Sequence, residues 1–253
     1  MITDLQKASL LKRISAYILD AILLVILTAG FAWGLSALMN YDAYTTMLED
    51  RTAHFEAEYG VSFDITDEQK NAMTAQEQEN FDAAENAFIN DEVALYAYNV
   101  MINQFLTMVS VGLLLSYILL EFIVPLLLHN GQTLGKKVFG IAVMRVDGVR
   151  LTNLALFVRT VLGKYTIETM VPVFIFLMIF IGIMGSAGTM ILLAFYLTQL
   201  ALVLIRRDHG LIHDLISGTV VVDMQSQMIF QTTEDLIAYK QRLAAEEARK
   251  RPY

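Results

Sequence analysis

The chain has 253 residues, 56% of them hydrophobic and 17% charged, with a mean hydropathy of +0.51; this is too apolar for an ordinary soluble domain of that length and reads as a polytopic membrane protein. No cysteine is present, which excludes disulfides, thiolate nucleophiles and cysteine-ligated metals. The net charge of −8 argues against a nucleic-acid partner, and it is divided sharply along the chain.

Lys12 and Arg13 open an apolar run that continues to Met39. From Ile14 onward it makes roughly 39 Å of helix, enough to cross a hydrocarbon core of about 30 Å with some tilt. The run is too long for the apolar part of a signal peptide, and Asp20 interrupts it. Arg13, Tyr17 and Asp20 stand at i, i+4 and i+7, so they share a face, with Asp20 about 10 Å deeper than Arg13. A carboxylate at that depth costs at least about 2.5 kcal/mol on insertion scales, so it faces protein or water, either as an interhelical contact or in moving an ion or substrate.

After Met39 the composition turns polar, and residues 40–97 carry fourteen acids against two bases, Arg51 and Lys70. The other sixteen Lys and Arg lie at the amino terminus or after residue 128. Positive charge stays inside, which predicts cytoplasmic termini and an external insert over 40–97. Thr66 and Gln69 have capping-box spacing, and no Gly or Pro occurs from Val61 to Val111, predicting a helix from Asp67 that runs unbroken into the next span. Its thin stripe of Phe81, Ala84, Phe88 and Val93 is expected to pack on the first half of the insert or on a second subunit.

The second span covers 98–128 and contains Glu121, with Pro125 expected to kink the helix beside it. His129 begins a glycine-rich loop, and Asp147-Gly148 between β-rich runs predicts a cytoplasmic hairpin. Thr152 to Lys164 reads as an amphipathic helix against the bilayer, with Arg159 and Lys164 snorkelling. Thr169 to Ile205 is too long for one span and is divided into two by a turn at Gly185-Ser-Ala-Gly188. A short helix from Leu211 to Ser217 closed by Gly218, a strand over Thr219 to Asp223 joining the hairpin, and a tail helix from Thr233 complete the chain. The division is 1–39, 40–97, 98–128, 129–166, 167–206 and 207–253. The fold class is an all-α membrane protein of four transmembrane helices with a small cytoplasmic β element and an external helical insert.

Three stretches carry a family resemblance: Arg13 with Asp20, then Gly131-Gln-Thr-Leu-Gly-Lys136, then His213-Asp-Leu-Ile-Ser-Gly-Thr-Val-Val221. In this order they resemble the RDD family of prokaryotic membrane proteins, named for an Arg and two Asp, which makes Asp214 the second Asp. The resemblance covers about residues 8–39 and 98–223, and the acidic insert departs from the shorter connection usual in the family. It implies an integral protein of the cytoplasmic (inner) membrane and, as proposed for some members, cation/proton exchange.

Arg13, Leu128 and Arg206 mark one membrane edge, and Asp20, Glu121 and Gln199 each lie seven residues in from it, at about 10 Å depth. Two nearby carboxylates at low dielectric favour one shared proton or a bound cation, as a proton-coupled exchanger of monovalent cations requires; a static hydrogen-bond network is the other reading. Arg13 and Asp214 are expected to pair as a latch at the cytoplasmic boundary, with Arg159, His213 and Tyr17 as further members of the polar network. The glycine loop is one residue short of a Walker pattern and is read as a tight exit with lysines near lipid headgroups. His209 and His213 are too little for a metal site, and no nucleophile with a paired base is visible, so no cofactor, metal or enzymatic activity is expected. The alternative to ion transport is a non-transporting scaffold that docks a homo-oligomeric or membrane partner through the insert or the tail.

Overall fold

The computed structural model describes residues 6–128, 130–180 and 182–250; His129, at the head of the glycine-rich loop, and Ile181, within the long apolar run, lie outside the described residues. The described residues are all-α apart from one two-stranded sheet. Among the described residues, four helices are long and apolar enough to cross a membrane: α1 (Leu10–Leu38), α5 (Glu92–Leu128), α7 (Asn153–Phe180) and α8 (Gly185–Ile205). Two compact units result, one of Met1–Thr28 with Leu113–Tyr253 and one of Ala29–Gly112.

In the unit Ala29–Gly112, α2 (Tyr41–Tyr59) starts after Asn40 in the left-handed region and stops at Gly60, φ 64°. The helix expected to run unbroken from Asp67 is instead three pieces: α3 (Asp67–Asn71), α4 (Ala75–Ile89) and α5. The breaks have side-chain causes. Thr74 and Glu77 form a second capping box, with the Thr74 N–H donating to the Glu77 carboxylate at 2.8 Å. Asp91 caps α5 by accepting the Ala94 N–H at 2.8 Å while the Arg51 fork donates to both its oxygens, at 3.0 and 2.5 Å. Phe81 and Ala84 are buried, and Phe88 and Phe81 meet Phe55 and Phe63 edge-on or tilted at ring distances of 5.6 to 6.0 Å. The apolar stripe of α4 therefore packs on the first half of the insert.

In the other unit, β1 (Ile141–Arg145) pairs antiparallel with β2 (Thr219–Asp223), Ile141 opposite Asp223 and Arg145 opposite Thr219. Both faces are buried, which suits their Val/Ile/Ala/Met runs: Ile141, Val143 and Val221 pack with Ala16, Leu151 and Leu156, while Ala142, Met144, Val220 and Val222 form a second cluster. The expected hairpin is present as a tight turn, with the Arg145 N–H donating to the Val149 carbonyl at 3.0 Å and Gly148 at φ 93°; its second arm adds only a bridge from Arg150 to Met144. Two short helices flank the sheet, α6 (Leu134–Val138) and α9 (Ile212–Ser217), the latter closed by Gly218 at φ 62°. The tail is α10 (Thr233–Lys250), with Leu236 buried and Tyr239 against Phe230.

Two boundaries differ from the sequence reading. The amphipathic helix ending at Lys164 and the span after it are one helix, α7, widened to a π-helix from Val158 to Met170. It stays continuous because Arg159, Lys164 and Glu168 find partners inside the protein, as shown below, instead of snorkelling. The turn before α8 falls at Gly182–Met184, with the Gly182 N–H donating to the Ile179 carbonyl and those of Ile183 and Met184 to Met178. Gly188 lies inside α8, where a Cβ would come 2.5 Å from Ile179 Cγ1. That glycine serves helix packing and not the turn.

Candidate functional site: a charge-balanced cluster

Asp20 is buried on α1, and the glycine-rich loop wraps its carboxylate. Thr133 Oγ1 donates to Oδ2 at 2.5 Å and the Gly135 N–H to Oδ1 at 2.8 Å. Gly135 has to be glycine, because a Cβ there would lie 2.3 Å from the Ala16 carbonyl oxygen. A loop that resembles a phosphate cradle thus cradles a carboxylate of its own chain. The same Thr133 hydroxyl caps α6 by accepting the Lys136 N–H. Lys136, expected near lipid headgroups, is turned inward and buried, its Nζ 3.2 Å from Thr133 Oγ1 and 3.7 Å from Glu121 Oε2.

Glu121 lies on a π-helical stretch of α5, Ile118–Ile123, and its carboxylate meets Lys164 Nζ at 2.6 Å. Asp20 and Glu121 are linked through Thr133 and Lys136, which bridge from one carboxylate to the other. Residue counting placed both at one depth but could not supply the lysine that stands between them. Pro125, four residues on, has no N–H for the Glu121 carbonyl, and Thr160 Oγ1 donates to it instead at 2.8 Å.

Asp214 pairs with Arg159, not with Arg13 as expected. Arg159 Nη1 donates to Asp214 Oδ1 and, at 2.6 Å, to Thr219 Oγ1, which itself reaches Asp214 at 3.1 Å. Packing of α9 on α7 puts Asp214 against the Arg159 fork. Arg13 still ties α1 to the segment after α8, but through carbonyls: Nη1 donates to those of Asp208 and His209, each at 2.6 Å. Asp208 is held by Arg206. Tyr17 is largely exposed.

His213 Nδ1 stands 2.7 Å from Glu168 Oε2, its backbone N–H donates to Oε1 at 2.9 Å, and Nε2 is 3.5 Å from Asp214. Gln199 belongs to this group and not to a layer with Asp20 and Glu121, since it hydrogen-bonds Glu168 and accepts the Ile212 N–H at 3.4 Å. His209 turns away to the Val203 carbonyl. Sequence reasoning missed Glu168, Lys136, Thr133 and Thr219 as members; the last three stand inside the motifs that carried the resemblance, whereas Glu168 had no signal beyond its charge in an apolar stretch.

Four cations, Arg13, Lys136, Arg159 and Lys164, therefore balance four carboxylates, Asp20, Glu121, Glu168 and Asp214, Arg13 through its charge near Asp214 and the other three by direct contact. Burial would push Asp214 up, but Arg159, then His213 and Arg13, hold it well below the usual carboxylate range. Burial, with Arg159 adding, pushes His213 below its ordinary value, so it is neutral at pH 7. Burial also pushes Lys136 down to about 8, helped by Lys164 and Arg159 and opposed by Glu121 and Asp20. A cavity of 370 Å³ reaches Asp20, Lys136, Lys164, Arg159, Asp214 and Arg13 between apolar side chains of α1 and α8.

No curated protein and no solved structure matches the chain. The family model described as the RDD family matches residues 7–218, a span that holds every member of the cluster. Four membrane-length helices and this match make the protein a multi-pass membrane protein that belongs to the RDD family.

Proposed function

We propose that the protein is an ion exchanger of the cytoplasmic (inner) membrane, with both termini on the cytoplasmic side, in which the charge-balanced cluster couples proton release to uptake of a monovalent cation. The observation that carries this reading is the cavity: it reaches the buried charges, whereas a purely structural network would be sealed. Lys136 is the group suited to the proton step. It faces Asp20 from α1, Glu121 from α5, and Arg159 and Lys164 from α7, and it is the cation for which burial moves the titration to about 8. While it is protonated, four cations balance four carboxylates. Once it releases its proton the cluster carries one net negative charge in a low-dielectric setting, and a monovalent cation entering the cavity restores neutrality.

Flux of protons and of sodium or potassium in reconstituted vesicles tests this, wild type beside Asp20→Asn and Glu121→Gln. Each substitution removes one carboxylate at nearly constant size, so proton loss from Lys136 would only return the cluster to neutrality. Cation flux should fall to that of protein-free vesicles in both variants. Equal flux in wild type and variants, or none in wild type, would leave the cluster a static tie and the scaffold reading in its place.

A further inference from the structure

The length of α8 sets a depth scale. Its 21 residues carry no charge and make about 31 Å of helix, which just crosses a hydrocarbon core of about 30 Å. Arg206, Arg207 and Asp208 follow at once, so Ile205 marks the hydrocarbon edge. Arg13 of α1 is at that level, since its Nη1 donates to the Asp208 and His209 carbonyls. Ala16 and Asp20 lie three and seven residues further along α1, about 4.5 and 10 Å inside the edge.

The glycine-rich loop and α6 touch α1 across this interval. The Gly135 N–H donates to Asp20 Oδ1, and a Cβ on Gly135 would lie 2.3 Å from the Ala16 carbonyl oxygen. On its other side Lys136 reaches Glu121, seven residues before the end of α5 at Leu128. Backbone that is not part of a span survives at hydrocarbon depth only where protein satisfies its polar groups. Here Asp20 takes the Gly135 N–H, Thr133 Oγ1 takes the Lys136 N–H, and Gln132 Nε2 donates to the Ile141 carbonyl at 2.9 Å, with Gly131, Gln132 and Thr133 all buried. The outer face of α6 is the reverse of what water would select: the lysine at 136 points inward, whereas Leu134 and Val138, at i and i+4, are 40% and 69% exposed. Lys137, exposed beside them, has a stem long enough to carry its ammonium to the headgroups.

We infer that residues 131–138 form a re-entrant segment that dips below the membrane edge and returns to the same side, and that the Leu134 and Val138 face of α6 is a docking surface for the acyl chains of the bilayer. The depth of its contacts on α1 and α5 and the inversion of its polarity both point to hydrocarbon as the occupant. Asp20 then caps a short helix from within the membrane, which gives the buried carboxylate a structural task beside its place in the cluster. The inference stands whether or not the cluster exchanges ions.

Because the chain has no cysteine, a single nitroxide can be attached to the full-length protein at Leu134→Cys or Val138→Cys, with Ile18→Cys on the exposed side of α1 as the hydrocarbon reference and Gln241→Cys on α10 as the aqueous one. All four positions are exposed, so the label displaces no packed side chain. In vesicles of phosphatidylcholine and phosphatidylglycerol, paramagnetic resonance compares relaxation by oxygen, which concentrates in hydrocarbon, with relaxation by a neutral water-soluble nickel chelate. The oxygen-to-nickel ratio at 134 and 138 should exceed that at 241 by at least about three-fold and lie within about two-fold of that at 18. A ratio at both positions equal to that at 241 would put α6 in water and overturn the inference. Protection of both labels from oxygen and nickel alike would put a second copy or another protein on the face, and would overturn it equally.

Discussion

Arg159 and Asp214 are buried and hydrogen-bonded to each other, so removing one leaves the other charged without its main partner. Arg159→Met is expected to cost about 3–5 kcal/mol. Arg13→Met loses hydrogen bonds to carbonyls and a through-space attraction to Asp214, and should cost less, about 1.5–3 kcal/mol. Chemical unfolding in mild detergent ranks the two, and the reverse order would restore a direct Arg13–Asp214 latch. Both acid-side titrations run the same way. His213 has its folded value below the ordinary 6.5, so its contribution is lost as pH falls through about 6.5; Asp214, held below the carboxylate range, contributes stability present above about pH 4 and lost below it. The thermal midpoint should therefore decline in two stages on acidification, and His213→Gln should remove the first; a single stage near pH 4 in wild type would contradict the neutral His213. Glycines sort by contact: Gly135→Ala drives a Cβ into the Ala16 carbonyl and should sharply lower folded yield, whereas Gly34→Ala, with nothing within 4 Å near the far end of α1, should stabilise by about 0.4–1 kcal/mol.

Local signals made most elements legible. Gly148 and Gly218 marked their turns, the Thr66 box marked a helix start, and β-branched runs marked both strands. What failed were the interruptions and joins decided by partners. Thr74 and Asp91 each break the insert helix, but Asp91 does so in company with Arg51, forty residues away. Likewise α7 passes through Arg159, Lys164 and Glu168 because other helices supply counter-charges that composition alone does not show. The second span illustrates the same dependence. Thr160→Val leaves the Glu121 carbonyl without the donor that Pro125 also withholds, and should cost about 1–3 kcal/mol; adding Pro125→Ala, which returns a backbone N–H, should recover part of it. A double variant as unstable as the sum of the singles would show that the Thr160 bond does not substitute for the missing backbone one.

Across the whole molecule, the charge asymmetry carried the topology reading, and the absence of native cysteine makes it easy to test. Glu77→Cys should react with an impermeant maleimide from outside intact cells and Asp147→Cys should not; the opposite pattern would invert the orientation. Which polar residues belong to the cluster was largely legible, since Arg13, Asp20, Glu121, Gln199, Arg159, His213 and Asp214 were all singled out. Who pairs with whom was not, because depth follows from counting along a helix whereas facing depends on how α1, α6, α7 and α9 rotate against one another. Lys136 shows the cost: its place in the glycine-rich motif was plain, yet only the fold turns it inward between two carboxylates. The most direct measurement of the central claim is the pH profile of cation flux in vesicles for wild type, Lys136→Arg and Lys136→Met. Wild-type flux should rise through about pH 8, the Arg variant, charged at every relevant pH, should stay low, and the Met variant, never charged, should be high and independent of pH. A rise near pH 8 that persists in both variants would contradict the account.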